Sequence, residues 1–228
     1  MTEPIKKKYR ASPFLRRGGA KPKRAERLLT VALELFSKSD FSAVSIKKIA
    51  DEAGVNSSLI YYYFDSKEIL FQAALERAVL QTLQNYEMLR ERHNNPAELI
   101  SDWFDTHIVL AEPIKKLVKI MLDYSTSGTQ HEVIDSIIYQ FYKEESQLLS
   151  ASIEWGIKLD LFNAVDPLRA ARLASTFLDG AMTRALIMPT LDVAEVINDL
   201  KDVFWEHLGY DPTSKSKGCQ QPVHHLLS

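Results

Sequence analysis

A cluster of hydroxyl and amine side chains between positions 45 and 67 is the part of this chain most suited to hold an anion. Ser45, Lys47 and Lys48 stand at the start of one short apolar-periodic stretch, and Ser57, Ser58 and Leu59 at the start of the next. A hydroxyl, free backbone N–H groups and cations gathered at a helix start can bind phosphate. Three adjacent tyrosines, Tyr61, Tyr62 and Tyr63, point in different directions around a helix, so not all of them can be core. Packing against the following helix is the plain alternative, above all for Tyr61.

The elements around this cluster set its layout. Leu28, Val31, Ala32, Leu35 and Phe36 repeat at one-face helical spacing, and Ile46, Ile49, Ala50 and Ala53 do so again after a Ser-Asp-Phe-Ser turn. Ser45 is placed to cap the second helix and Gly54 to end it, while Asn56 or Ser57 can cap a third that buries Ile60 and Phe64. Asp65-Ser66-Lys67-Glu68 marks a fourth start. Helix, glycine-centred turn and helix together make the layout in which one helix braces on the DNA backbone and the other enters the major groove.

Charge points the same way. Residues 1–27 hold ten basic side chains against two acids, net +8, and the remaining 201 residues carry −10. A basic arm on an acidic body suits a polyanion at one end; a solvated tail is the bland alternative.

Further on, Asn95-Pro96, Pro113, Asp166-Pro167 and Asp192-Val193-Ala194-Glu195 read as helix starts, with a long helix from about His131 to Leu159. No stretch shows sustained period-two alternation, so the fold class is all-α. The expected domains are a basic flexible arm (1–25), a helix-turn-helix domain (26–68), a larger helical ligand-binding and dimerisation domain (69–210) and a disordered tail (211–228).

The run Ser45-Ile46-Lys47-Lys48-Ile49-Ala50 through Ala53-Gly54-Val55, Tyr61-Tyr62-Tyr63-Phe64 and Ser66-Lys67-Glu68 resembles the signature of TetR-family transcriptional repressors, and Ala32-Leu33-Glu34-Leu35-Phe36 resembles that family's first helix. The resemblance implies that Ser45 and Lys47 contact phosphate, that Ser57, Ser58 and Leu59 face base edges, and that Tyr61 and Tyr62 flank the backbone. Tyr63 stands where the family more often has His, and its phenol could donate to phosphate; Lys67 would close the clamp. The segment after Asn56 has no Arg, Lys, Gln or Asn before Lys67, so bidentate base reading is not evident and DNA shape or the basic arm would carry specificity.

The resemblance also implies a homodimer pairing through its eighth and ninth helices. Ala170, Ala171, Ala174, Ser175, Gly180 and Ala181 would permit close helix approach, although burial within one chain explains the same composition. The fourth helix, Ile69 to Arg92, would act as a rigid lever between the domains. An effector pocket is expected among the fifth to eighth helices, with Trp103, His107, Met121, Tyr124, Phe141, Trp155 and Phe177 as candidate lining.

The function expected is a repressor released from a double-stranded DNA operator by a small apolar or aromatic effector. An architectural DNA-binding protein without an effector is the alternative, and a helical enzyme is a distant third. No phosphate-binding loop, nucleophile elbow or cysteine pair occurs, and His131-Glu132-Val133-Ile134-Asp135 lacks the second His of a zinc-protease helix. Neither cofactor nor metal is called for. With one cysteine, no secretory leader and no membrane-spanning run, a cytoplasmic protein is expected.

Overall fold

The computed structural model describes residues 22–126 and 131–213; the basic arm up to Lys21 and the tail beyond Thr213 lie outside them. The described residues form α1 (Pro22–Lys38), a 3₁₀ turn (Phe41–Ala43), α2 (Ile46–Ala53), α3 (Ser57–Tyr63), α4 (Lys67–Arg92), α5 (Pro96–Val109), α6 (Ala111–Thr126), α7 (Glu132–Lys158), α8 (Pro167–Ile187) and α9 (Val193–Leu208), with no strand among them.

Side-chain caps start most of these helices. Ser45, Asn56 and Ser66 accept from the third backbone N–H of α2, α3 and α4, and Asn95, Asp166 and Asp192 cap α5, α8 and α9. Of the two residues able to cap α3, Asn56 is the one used, at 2.9 Å. Two starts come earlier than periodicity predicts. α1 begins at Pro22, so the last residues assigned to the flexible arm are its first turn, where proline loses no helical hydrogen bond. α6 begins at Ala111, with Pro113 still inside the first turn.

α1, α2 and α3 form a head around Leu28, Ala32, Phe36, Ile49, Ala50, Ala53, Ile60 and Phe64, all buried. Each of the Leu, Ile and Phe side chains contributes about 1.5–3 kcal/mol on leaving water. Phe71 from α4 meets Phe36 and Phe41 at ring-centroid distances of 5.0 and 5.1 Å, so the head core runs without a break into that of the larger helical region (the body) formed by α4–α9. α4 packs on both α1 and α7, and α7 on α8. Gly156 permits one close approach: a Cβ there would lie 2.0 Å from the Phe162 ring.

Candidate nucleic-acid interface and effector cavity

Ser45, Lys47, Lys48 and Ser58 are exposed, and Ser57 and Leu59 are half-exposed. Ser45 accepts from the Lys48 N–H at 3.1 Å, and the first N–H groups of α2 have no intrahelical carbonyl to meet. Gly54 takes the left-handed conformation (φ 66°, ψ 39°), and the Val55 N–H returns to the Ala50 carbonyl at 2.9 Å, fixing the turn into α3. Tyr61 and Tyr62 are 54% and 67% exposed, which removes the alternative that Tyr61 is packed away.

Two of the residues singled out in the sequence do something else. The Tyr63 hydroxyl is shut off from solvent without a hydrogen-bond partner, and its ring sits edge-on to Tyr62 at 5.1 Å, so it is not presented to phosphate. The Lys67 ammonium donates to the Phe41 carbonyl at 2.9 Å and lies 4.1 Å from that ring's centroid. It fastens the start of α4 to the 3₁₀ turn; a clamp on DNA is not the contact seen. Arg24 and Arg27, part of the basic arm's charge, have a more specific place. One turn apart on the early part of α1, they share a hollow with Asn56, Ser58, Leu59 and Tyr62, so cations rim the exposed side of α3. Continuing the helical period back to Pro22 would have found them.

A second cavity, of about 700 Å³, lies between α1, α4, α5 and α6. α1 supplies Thr30, Leu33 and Glu34; α4 supplies Tyr86 and Leu89; α5 supplies His107; and α6 supplies Ile114, Lys116 and Leu117. Among the seven expected pocket residues His107 lines this cavity and the other six do not. Trp103, Met121, Tyr124 and Phe141 are core, Trp155 is half-buried elsewhere, and Phe177 is 46% exposed on α8. Trp103, Tyr124 and Phe141 at helical spacing thus fill the interior instead of a pocket wall. Tyr124 also receives the His131 N–H at 2.7 Å and donates to Asp135 Oδ1 at 2.8 Å, so the His131–Asp135 segment joins α6 to α7.

Behind the cavity a carboxylate is buried. Glu145 on α7 accepts from the Tyr86 hydroxyl at 2.8 Å and from Ser175 on α8, and its Oε1 lies 3.6 Å from His107 Nε2. His107 Nδ1 is 2.8 Å from the Trp103 carbonyl, which can only accept, so that nitrogen carries a proton. Burial alone would push the Glu145 carboxyl up, but His107, Ser175 and Tyr86 outweigh it and hold it below the usual carboxylate range. Burial and the Glu145 charge raise the Tyr86 hydroxyl. Asp179, beside Tyr142, is pushed up to about 6 by burial. Among the described residues no group of three or more His, Cys, Asp or Glu could hold a metal ion, and no helix is long and apolar enough to cross a membrane.

Residues 28–74 match the model of the bacterial regulatory proteins of the tetR family. The helix-turn-helix head is therefore of the TetR type. Two curated relatives extend the likeness across TetR-type proteins. An uncharacterized HTH-type transcriptional regulator from the dhlA 5' region of Xanthobacter autotrophicus is 22% identical over 81% of this chain and 90% of its own length. The nucleoid occlusion factor SlmA of Marinobacter nauticus is 22% identical over 81% of this chain and 97% of its own. The crystal structure of a transcriptional regulator from Saccharomonospora viridis in complex with choline shares the fold at a TM-score of 0.73, with 22% identity, covering 82% of this chain and 97% of that one. The TetR-like chain described here is therefore a DNA-binding transcriptional regulator of all-helical fold.

Proposed function

We propose that the protein is a homodimeric repressor that leaves its double-stranded DNA operator when a small, largely apolar effector fills the α1–α4–α5–α6 cavity. The observation that carries the DNA-binding part is the hollow in which Arg24 and Arg27 face Ser58, Leu59 and Tyr62. With Ser45, Lys47 and Lys48 exposed at the start of α2, phosphates are held around a short helix whose few polar groups read bases. Two weak readers per head make shape readout the main source of sequence preference.

A pair of heads on one duplex supports the dimer, and α8 supplies a surface for it. Leu173, Phe177, Gly180 and Arg184 form an exposed stripe, and nothing lies within 4 Å of where a Gly180 Cβ would be. Ala170, Ala171, Ala174 and Ala181 are buried inside the chain, so of the small residues considered for close helix approach Gly180 is the one on the outer stripe. The cavity size falls in the range of small-molecule sites, and the S. viridis relative holds choline. Effector binding would favour a head spacing that fits the operator poorly, lowering affinity by its preference for that state.

A second reading is a DNA-binding protein with no effector; one relative is named a nucleoid occlusion factor. Selection of duplexes from a random pool by the full chain, repeated across salt concentrations, tests the first. A palindromic consensus is expected, with log affinity falling by roughly 0.9 per phosphate contact for each log unit of salt. Failure to bind any duplex at low salt would overturn it. Absence of melting shifts across a broad small-molecule library would favour the second reading.

A further inference from the structure

The wall that α1 gives the cavity carries an ion pair joining head to body. Lys116 Nζ on α6 donates to Glu34 Oε2 on α1 at 2.7 Å, and Lys38, one turn along α1, reaches Glu34 Oε1 at 3.0 Å. Two ammonium groups share one carboxylate, so this corner holds net positive charge. Both partners of the α1–α6 pair are about two-fifths exposed, which leaves it screened and readily exchanged. Acids at the other end are matched: Asp105 accepts from Lys201 at 2.7 Å, and Asp102 lies 3.3 Å from Arg92 and 2.8 Å from His93. The rest of the lining mixes Leu33, Leu89, Ile114 and Leu117 with the polar Gln81, Thr82, Asn85 and Thr106.

The geometry points to an amphipathic monoanion as the effector, an apolar body ending in one carboxylate that takes Lys116 from Glu34. This rests on the cavity being the effector site. A carboxylate entering this corner meets excess positive charge, whereas an ammonium group meets two cations and must displace one of them. Once Lys116 turns to the ligand, Glu34 keeps Lys38 and α1 loses its tie to α6. Because α1 also packs on α2, the change reaches the head through a single helix.

The test uses the full chain with decanoate, 1-decanol and decylamine as probes, reading melting temperature and release of the selected duplex. Decanoate is expected to stabilise the protein and release DNA at concentrations at least tenfold below those needed of the alcohol or the amine. Lys116→Met should lose that response at least tenfold, and Glu34→Gln, which weakens the internal competitor, should bind decanoate several-fold more tightly. Lys158→Met, an exposed cation on α7 that does not line the cavity, should respond as the parent does. Equal potency of decanol or decylamine, no shift with any probe in a chain that binds DNA, or a response in Lys116→Met equal to that of Lys158→Met would overturn the inference. A chain that binds no duplex while retaining the carboxylate-selective shift would overturn the repressor reading and leave this one standing.

Discussion

In the head, apart from Ser37 and the Tyr63 hydroxyl, the polar side chains around α2 and α3 are exposed or occupied in capping, over an interior of Ile49, Ala50, Ala53, Ile60 and Phe64. In the body the polar groups with most at stake are interior: His107, Glu144, Glu145 and Ser152 are all buried. The two regions use charge differently. The head keeps it in water, where it costs little and attracts a polyanion at long range. The body keeps it in a low-dielectric interior, where an unmatched group is expensive and any rearrangement of partners is felt strongly.

The sharpest way to break this contrast is Glu145→Ala. It leaves the Tyr86 hydroxyl, Ser175 and His107 without their shared acceptor, and urea unfolding of the full chain should show a loss of about 3–5 kcal/mol. A loss below about 1 kcal/mol would mean that the buried cluster is no more demanding than the surface of the head.

Asp179 gives a smaller, pH-dependent effect. Its carboxyl is pushed up to about 6, chiefly by burial, with the Tyr142 hydrogen bond opposing and the Glu145 charge adding. The folded chain therefore holds this proton more tightly than the unfolded chain, whose aspartate titrates near 3.9. Its stabilising contribution is complete below about pH 4 and lost as pH rises through about 6. Asp179→Asn should remove that decline, leaving the variant about 1–2 kcal/mol more stable than the parent at pH 7.5 and flattening the curve of unfolding free energy between pH 4 and 6. A parent and variant with parallel curves would show Asp179 to be solvated.

The least effect is expected in the head. Tyr63→Phe deletes a buried hydroxyl that has no partner, so stability should stay level or rise by up to about 1 kcal/mol and duplex affinity should change less than twofold. Tenfold weaker DNA binding would return Tyr63 to the phosphate-contacting set and sharpen the head's surface at the expense of its core.

What could be read from the sequence was local. Ser45, Asn56, Ser66, Asn95, Asp166 and Asp192 each cap through a partner two or three residues away, and the apolar period of α1 is short-range too. What escaped depends on distant pairs. Lys67 meets a carbonyl 26 residues earlier, Glu34 meets Lys116 across 82, and Glu145 gathers Tyr86 and Ser175 from two other helices. The cavity escaped for a related reason. Its α1 wall of Thr30, Leu33 and Glu34 has no aromatic, while Trp103, Tyr124 and Phe141 serve as core.

α3 has only seven residues, held at one end by Asn56 and at the other by the Phe64 N–H on the Ile60 carbonyl. A helix that short does not persist on its own in water, so the base-facing surface exists only while Ile60 and Phe64 remain seated. A screen for variants that no longer bind DNA would thus return lesions at those two interior positions alongside those at Ser58 or Arg27. Only a melting curve run beside the binding assay would separate a misread operator from a reading head that has come apart.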